Sequence, residues 1–267
     1  METEQVLQRN SSIENAMRIL KTFSMHQPEL RVVDIAGELN IAKSTAHRLL
    51  STLASEGFVY KDPQSNHYSL GVSVLALTNI VNSQLPIVKE ATPILNALTE
   101  KTGESSHLAI REGHEVIYLQ KIENEYSVHV TTHIGRRNPV HCTSTGQAIL
   151  AFETDEVVDE ILSGPLVKFT EHTITEPQQL RDKLKEVRRL GYVIDHQGFE
   201  NNVISIGAPI FNSQDEVMAS VNITGPVNRL KAMEAQRKCV EEVVTTARRV
   251  SNLVKLRKKL FEEERGR

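Results

Sequence analysis

The chain contains no tryptophan, and only 4% of its 267 residues are aromatic. Its cores must therefore be filled by aliphatic side chains. Cysteine is almost absent. Cys142 and Cys239 lie far apart and form no C-x-x-C pair, which excludes a disulfide framework and a thiolate zinc motif. No apolar run is long enough to span a bilayer. The polar start METEQVLQRNSS lacks the apolar stretch of a signal peptide. The expectation is a cytoplasmic protein with no membrane partner. Positive charge is not in excess either: 31 Lys and Arg stand against 34 Asp and Glu, a net charge of −3. Any contact with nucleic acid must then be a local patch. What is present, 39% hydrophobic and 24% charged residues, is the composition of one or two globular domains.

Residues 11–71 read as helices followed by a hairpin. Ser11-Ser12-Ile13-Glu14 has capping-box spacing with Ser11 as the cap. Ile13, Ala16, Met17, Leu20 and Phe23 then follow helical periodicity. A short helix over 32–39 turns Val32, Ile35, Ala36 and Leu39 inward. Asn40 stands where a tight turn needs a residue tolerant of positive φ. A third helix starts near Ala42. Short helix, tight turn and longer helix is the pattern of a helix-turn-helix. Two β-prone runs, 58–61 and 67–70, flank the turn DPQSN, with Phe58 and Tyr60 expected on the core face. Three helices and a hairpin make a winged helix-turn-helix.

The third helix carries an unusual outward face. With Ala46 at the centre of the inner face, Ala42, Leu49, Leu50 and Leu53 fall inward. Ser44, Arg48, Ser51 and Ser55 fall opposite, with Thr45 and Thr52 beside them and Lys43 and His47 flanking. Solvated faces usually mix both signs of charge, and this one has hardly any carboxylate. Small hydroxyls let a helix approach a groove and bond phosphates or base edges. Arginine is the bidentate reader of a guanine edge. The face is expected in a DNA major groove, with Lys61 and His67 of the wing along the backbone or minor groove. The basic surplus is small, so affinity is expected to come from a dimer reading two half-sites. The alternative is a winged-helix protein-interaction module, whose polar face is merely solvated.

Residues 72–84 form a short apolar helix with little of its own domain to pack on, a linker or a pairing surface for a second subunit. From 85 to about 260 the pattern alternates. A helix carries Val88, Ala91, Leu95 and Leu98, with Pro93 as a point of kinking or restart. Strands are expected at 106–111, 116–121, 127–134, 204–211 and 217–224. Helices are expected after Gly146, near 155–162 and 177–190, and along the C-terminal stretch, whose charged end is expected to fray. This is an α+β arrangement: a mixed, largely antiparallel sheet covered by helices. Thr143-Ser144-Thr145 precede Gly146 and an apolar helix. Such a loop offers hydroxyls and N–H groups suited to a carboxylate or phosphate. Ordinary N-capping is the other reading of the same residues.

Taken together, IAKSTAHRLLSTLASEGFV, TGESSHLAI, GRRNPVHCTSTGQAILA, RRLGYVIDHQGFE and GAPIFNSQDEVMASVNITGP resemble, in order and spacing, the IclR family of bacterial transcriptional regulators. The resemblance covers nearly the whole chain, and none of its marks is catalytic. It implies a GAF-like effector-binding domain after the winged helix. It also implies dimers formed through the DNA-binding half, often tetramers, and a small organic acid as effector. The family's pocket maps onto Ser144 and Thr145 with Thr143 beside them, then Asp195, Ser205, Asn222 and Thr224. The strand pattern agrees for the last two, since 222 and 224 point to one face and Val221 and Ile223 to the other. The chain departs from the family's usual small apolar residues and Lys at Ser144, Thr145 and Gln147, and from its Gly at Asn202. These changes make the pocket more polar and favour a small polar carboxylate, a hydroxy or keto acid. No cofactor is expected. His129, His133, His141 and Cys142 could suggest a metal site or a catalytic pair, and Asp195 a general base. No metal spacing or orienting group accompanies them, so surface histidines and a buried thiol are the expectation, and a metabolite-transforming enzyme is the weakest reading. The leading one is a ligand-controlled repressor of a catabolic operon.

Overall fold

Ser11 opens the first helix as a cap should: its hydroxyl accepts the Glu14 N–H at 3.1 Å. The computed structural model describes residues 11–25, 27–125 and 132–265, without the side chains of 82 and 258–265. The chain divides into two compact units, Met1–Gln84 and Leu85–Arg267.

In the first unit, α1 (Ser12–Thr22), α2 (Val32–Leu39) and α3 (Lys43–Ser55) pack around Ile19, Ile35 and Leu50. The stripe that α1 buries is Asn15, Ile19 and Thr22, whereas Ile13 and Met17 are 76% and 53% exposed. Of the apolar residues expected from helical spacing, Ala16, Leu20 and Phe23 pack against the core, and Ile13 and Met17 do not. Two neighbouring stripes on this helix satisfy helical spacing, and packing against α2 and α3 selects the one centred on Ile19. Asn40 adopts φ 53°, the left-handed turn, and the Ile41 N–H returns to the Ala36 carbonyl at 3.0 Å. The wing pairs β1 (Val59–Lys61) with β2 (Tyr68–Leu70), antiparallel. Asp62 shapes its turn by accepting the N–H groups of Gln64 and Ser65. The expected core face of the wing is corrected at Tyr60, while Phe58 is half-buried against the core. Val59 and Tyr68 are buried, and Tyr60 is 57% exposed. A two-way backbone bridge from Leu30 to Tyr68 aims Tyr68 at the core, and a one-residue alternation then turns Tyr60 out. Helix α4 (Ser73–Gln84) ends the unit.

The second unit is built on a six-stranded sheet, wholly antiparallel, in the order β5-β4-β3-β8-β7-β6. The strands are β3 (Ser105–Glu112), β4 (Glu115–Ile122), β5 (Arg137–Pro139), β6 (Val193–His196), β7 (Val203–Phe211) and β8 (Val217–Pro226). The two short edge strands β5 and β6 were not expected from sequence. Of the strand expected at 127–134, residues 127–131 lie outside the described residues, and 132–134 are not strand. Helix α5 (Pro86–Thr102) runs unbroken through Pro93. It covers one sheet face together with α10 (Met233–Arg265), around Leu95, Leu98, Ile206, Ile223, Val243 and Val250. The charged end expected to fray continues the α10 backbone to Arg265. Helices α6 (Ser144–Leu150), α7 (Asp155–Ser163) and α8 (Pro177–Leu190) cover the other face, around Val116, Ile149, Leu180, Leu184 and Val193. A single turn, α9 (Val227–Leu230), follows β8. Among the described residues no helix is long and apolar enough to cross a membrane.

Candidate DNA-binding face and ligand cavity

On α3, Ala46, Leu49, Leu50 and Leu53 are buried. Lys43, Ser44, His47, Arg48 and Ser51 are exposed and Thr45 is half-buried; Ala42, expected inward, is an exposed N-cap residue. The Ser51 and Thr52 hydroxyls bond their own helix, to the carbonyls of His47 at 2.9 Å and Arg48 at 3.2 Å. That folds them flat and leaves Arg48 as the long side chain of the face. Among the described residues, neither Lys43 nor Arg48 is bonded to a carboxylate. The α3 N-terminus has no side-chain cap and no acidic residue in its first turn, so its N–H groups are open to a phosphate. On the wing, Lys61 stands over the Tyr68 ring at 5.8 Å. His67 is half-buried, and its Nδ1 lies 3.1 Å from the Ser65 carbonyl. Lys61 is exposed, and His67 is partly committed to its own turn.

The predicted ligand residues come from three separate parts of the chain, and β-register brings four of them together. Asp195, Ser205 and Thr224 stand side by side across β6, β7 and β8. Asn222, two residues before Thr224, lies on the same sheet face, which is the face α6 covers. Ser144 completes the group from α6, and its Oγ accepts from Asn222 Nδ2 at 3.0 Å. The close approach of α6 depends on Gly207, which is paired with Asn222: a Cβ there would come within 2.7 Å of the Ser144 carbonyl oxygen. Together these residues wall a cavity of about 40 Å³.

Thr143 and Thr145 take different parts. Thr143 is the cap of α6: its Oγ1 accepts the Gly146 N–H at 3.2 Å and donates to the Pro139 carbonyl at 2.9 Å. It also borders the cavity. Thr145 is fully buried behind the wall, 3.3 Å from the Tyr118 hydroxyl. Residues that the sequence did not point to also line the cavity, among them Tyr118, Asn138, Phe199 and Glu200. Asn138 enters through β5, in register with Val116, and is held by Arg136 Nε at 3.2 Å. No spacing signal marks a three-residue strand.

Two titratable groups are set by burial. Asp195 Oδ2 accepts the Gly198 N–H at 3.0 Å, and among the described residues no cation is bonded to it. Burial pushes its pKa up to about 6, against the smaller lowering effects of that N–H and of Lys183. His107 lies behind Asn222, whose Oδ1 is 2.9 Å from its Nδ1. Asn222 Nδ2 donates to Ser144 and Thr224, so Oδ1 accepts and His107 carries its proton on Nδ1. Burial lowers the His107 pKa to about 4, and the ring is neutral. Asn202, where the family's glycine would stand, takes φ 63°, a left-handed geometry asparagine tolerates.

The histidine and cysteine side chains set aside above are occupied locally. His141, expected at the surface, is buried because the chain around Val167 covers it, and its Nε2 lies 3.0 Å from the Val167 carbonyl; His133 Nδ1 lies 3.0 Å from that of Ile134. Cys142 is buried, and burial pushes its thiol well above the usual range, away from thiolate chemistry. His129 lies outside the described residues.

Comparison with known proteins bears on both sites. The IclR helix-turn-helix domain matches residues 12–63, and the C-terminal domain of the bacterial transcriptional regulator IclR matches residues 80–252. The HTH-type transcriptional regulator KipR of Bacillus subtilis (strain 168) is 33% identical over 218 residues, covering 81% of this chain and 86% of that protein. XynR of Escherichia coli (strain K12), also an HTH-type transcriptional regulator, is 30% identical over 224 residues, 84% of this chain and 89% of that protein. Among solved structures, an IclR homolog from Microbacterium hydrocarbonoxydans, complexed with 4-hydroxybenzoate, is 26% identical with a TM-score of 0.82. The match covers 92% of this chain and 100% of that one.

Proposed function

Because the chain belongs to the IclR family of bacterial transcriptional regulators, DNA-binding proteins and not enzymes, we propose that it represses a catabolic operon and is released by a small hydroxy or keto acid. The observation that carries the effector reading is the row Asp195, Ser205 and Thr224, set in register opposite Ser144 around a polar cavity of about 40 Å³. By that measure a water needs about 10–15 Å³, so the cavity suits a ligand of a few heavy atoms. Hydroxyls and an amide serve a carboxylate. Asp195 serves a ligand hydroxyl, as acceptor when charged and as donor when protonated. An organic-acid effector is also supported by the 4-hydroxybenzoate complex of the Microbacterium homolog.

On the DNA side, α3 enters the major groove. Arg48 reads a base edge. Lys43, Ser44, Thr45, His47 and Ser51 fix the helix on phosphates and neighbouring edges, and Lys61 and His67 follow the backbone from the wing. Two such helices in a homodimer read two half-sites. Ligand binding shifts the spacing between them because the two states bind the acid differently.

The test is fluorescence anisotropy with duplex DNA from upstream of the coding region, across a salt series and with unrelated competitor. Saturable binding is expected, with a salt slope of several phosphate contacts. Arg48→Ala should weaken operator binding at least fivefold, about 1–3 kcal/mol for one lost bidentate base contact, with an unchanged melting temperature. Glycolate or pyruvate should then release the wild-type complex. Absence of DNA binding at low salt would sink the regulator's assigned face, and an acid that tightens the complex would sink the repressor reading.

A further inference from the structure

The second unit has a larger cavity than the one described above. A cleft of about 430 Å³ lies at one edge of the sheet, lined by residues from the end of α8, from β7 and from α10. It lies where β6 stops short: β6 pairs with β7 only as far as Gly207, and β7 continues to Phe211. The floor there is apolar. Ala208 and Pro209 lie along β7, and Phe211 meets Phe152 edge-to-face with ring centroids 5.1 Å apart. The walls are cationic. Arg188, Arg189, Arg248 and Lys255 line the cleft, and no Asp or Glu does among the described residues.

These four cations are not equivalent. Arg188 is bonded to the carbonyls of Ala151 and Glu153, and Lys255 is paired with Asp215. Arg189 and Arg248 are exposed, and neither has a hydrogen-bond or ion-pair partner among the described residues. Two unpaired guanidinium groups at the rim of an aromatic floor form a combination that a purely structural cleft does not need. The fold places them from different elements, α8 and α10, so sequence proximity does not explain their convergence.

We propose that this cleft is a second ligand site, for an aromatic carboxylate. The ring would rest on Phe152 and Phe211, and the carboxylate would be taken by Arg189 and Arg248, whose planar forks match its two oxygens. Size separates the two sites: about 430 Å³ lies within the range of small-molecule pockets, whereas the inner cavity's 40 Å³ does not admit a ring without movement of its walls. The assignment is independent of the effector reading of the inner cavity.

The test is isothermal titration of the full-length protein with benzoate. The Arg189→Ala/Arg248→Ala double variant changes only exposed side chains, and it should bind benzoate at least tenfold more weakly with an unchanged melting temperature. The Arg189→Lys/Arg248→Lys variant keeps the charge, and it should recover only part of the affinity. Asn222→Leu, which alters the inner cavity, should leave benzoate binding unchanged. Any of these results would overturn the proposal: no saturable benzoate binding to the wild type, equal affinity in the double alanine variant, or loss of benzoate only in Asn222→Leu. A change of oligomeric state in the double alanine variant without a loss of benzoate affinity would assign the cleft to subunit contact and equally overturn it.

Discussion

Asp195 and His107 stand on opposite sides of Asn222, and burial drives their protonation equilibria in ways that oppose each other in stability. The folded pKa of Asp195 is raised from 3.8 to about 6. The native state therefore holds this proton more tightly than the unfolded chain, and stability falls as pH rises from about 4 to 6. The gap corresponds to about 3 kcal/mol at neutral pH. His107 runs the other way. Its folded pKa is lowered from 6.5 to about 4, so its contribution is complete above pH 6.5 and is lost as pH falls to 4. The wild type should consequently show a nearly flat melting temperature between pH 4 and 6. Asp195→Asn keeps an oxygen for the Gly198 N–H. It should be more stable than wild type above pH 7 by about 2–3 kcal/mol, should lose that advantage near pH 4, and should unmask the His107 slope between them. Calorimetry across that range checks it, and a parallel pair of curves would refute the assignment. A residue that costs the fold stability is easier to understand in a binding site than in a structural one. From sequence, Asp195 was legible only through family resemblance. Its burial could not be read there, because the enclosing Phe199, Gly198 and Cys142 segments come together only in three dimensions.

At the scale of elements, the decisive contact is α6 against β7 and β8. The seven residues of α6 are all buried, and Ser220 reinforces their seat by donating to the Thr145 carbonyl at 3.0 Å. Gly207 sets how close the helix can come, as its missing Cβ leaves space for the Ser144 carbonyl. Gly207→Ala should push the start of α6 off the sheet. The expected cost is about 1–3 kcal/mol, as for overpacking a tight core, together with a loss of affinity for the inner-cavity acid that exceeds the loss in Asp195→Asn. Melting curves and titration of the same variant check both. The long helices and central strands were legible because their periodicity runs over many residues. The edge strands β5 and β6 were not, because three or four residues carry no period. The α1 face was legible in part: Ala16, Leu20 and Phe23 pack against the core as their spacing suggests, but only the position of α2 and α3 centres the contact on Ile19 and leaves Ile13 and Met17 outside it.

At the scale of the molecule, the first unit leaves an apolar surface open. Leu75, Leu77, Ile80 and Val81 of α4 are each at least 50% exposed, and Ile13 and Met17 of α1 are exposed as well. Exposed apolar groups on this scale mark an interaction surface. The occupant we propose is a second copy of the chain, as the two-half-site reading requires. Ile80→Asp should give a monomer by sedimentation velocity with an unchanged helical signal, and its operator affinity should fall far more than its affinity for a single half-site. An unchanged dimer would move the interface elsewhere.

The family, the winged helix-turn-helix and the outward face of α3 were legible in the residues alone, as were the side chains we propose for a ligand. Those properties are local, carried by helical spacing, turn residues and motif order. Packing in three dimensions was needed to settle which α1 stripe is buried, that Val59 rather than Tyr60 faces the core, and that Thr145 lies behind the cavity wall. It alone brought Arg189 and Arg248 to one cleft and left Asp195 largely desolvated. Each of these depends on residues distant in sequence meeting in space, and burial and register, which set charge and contact, exist only once they meet.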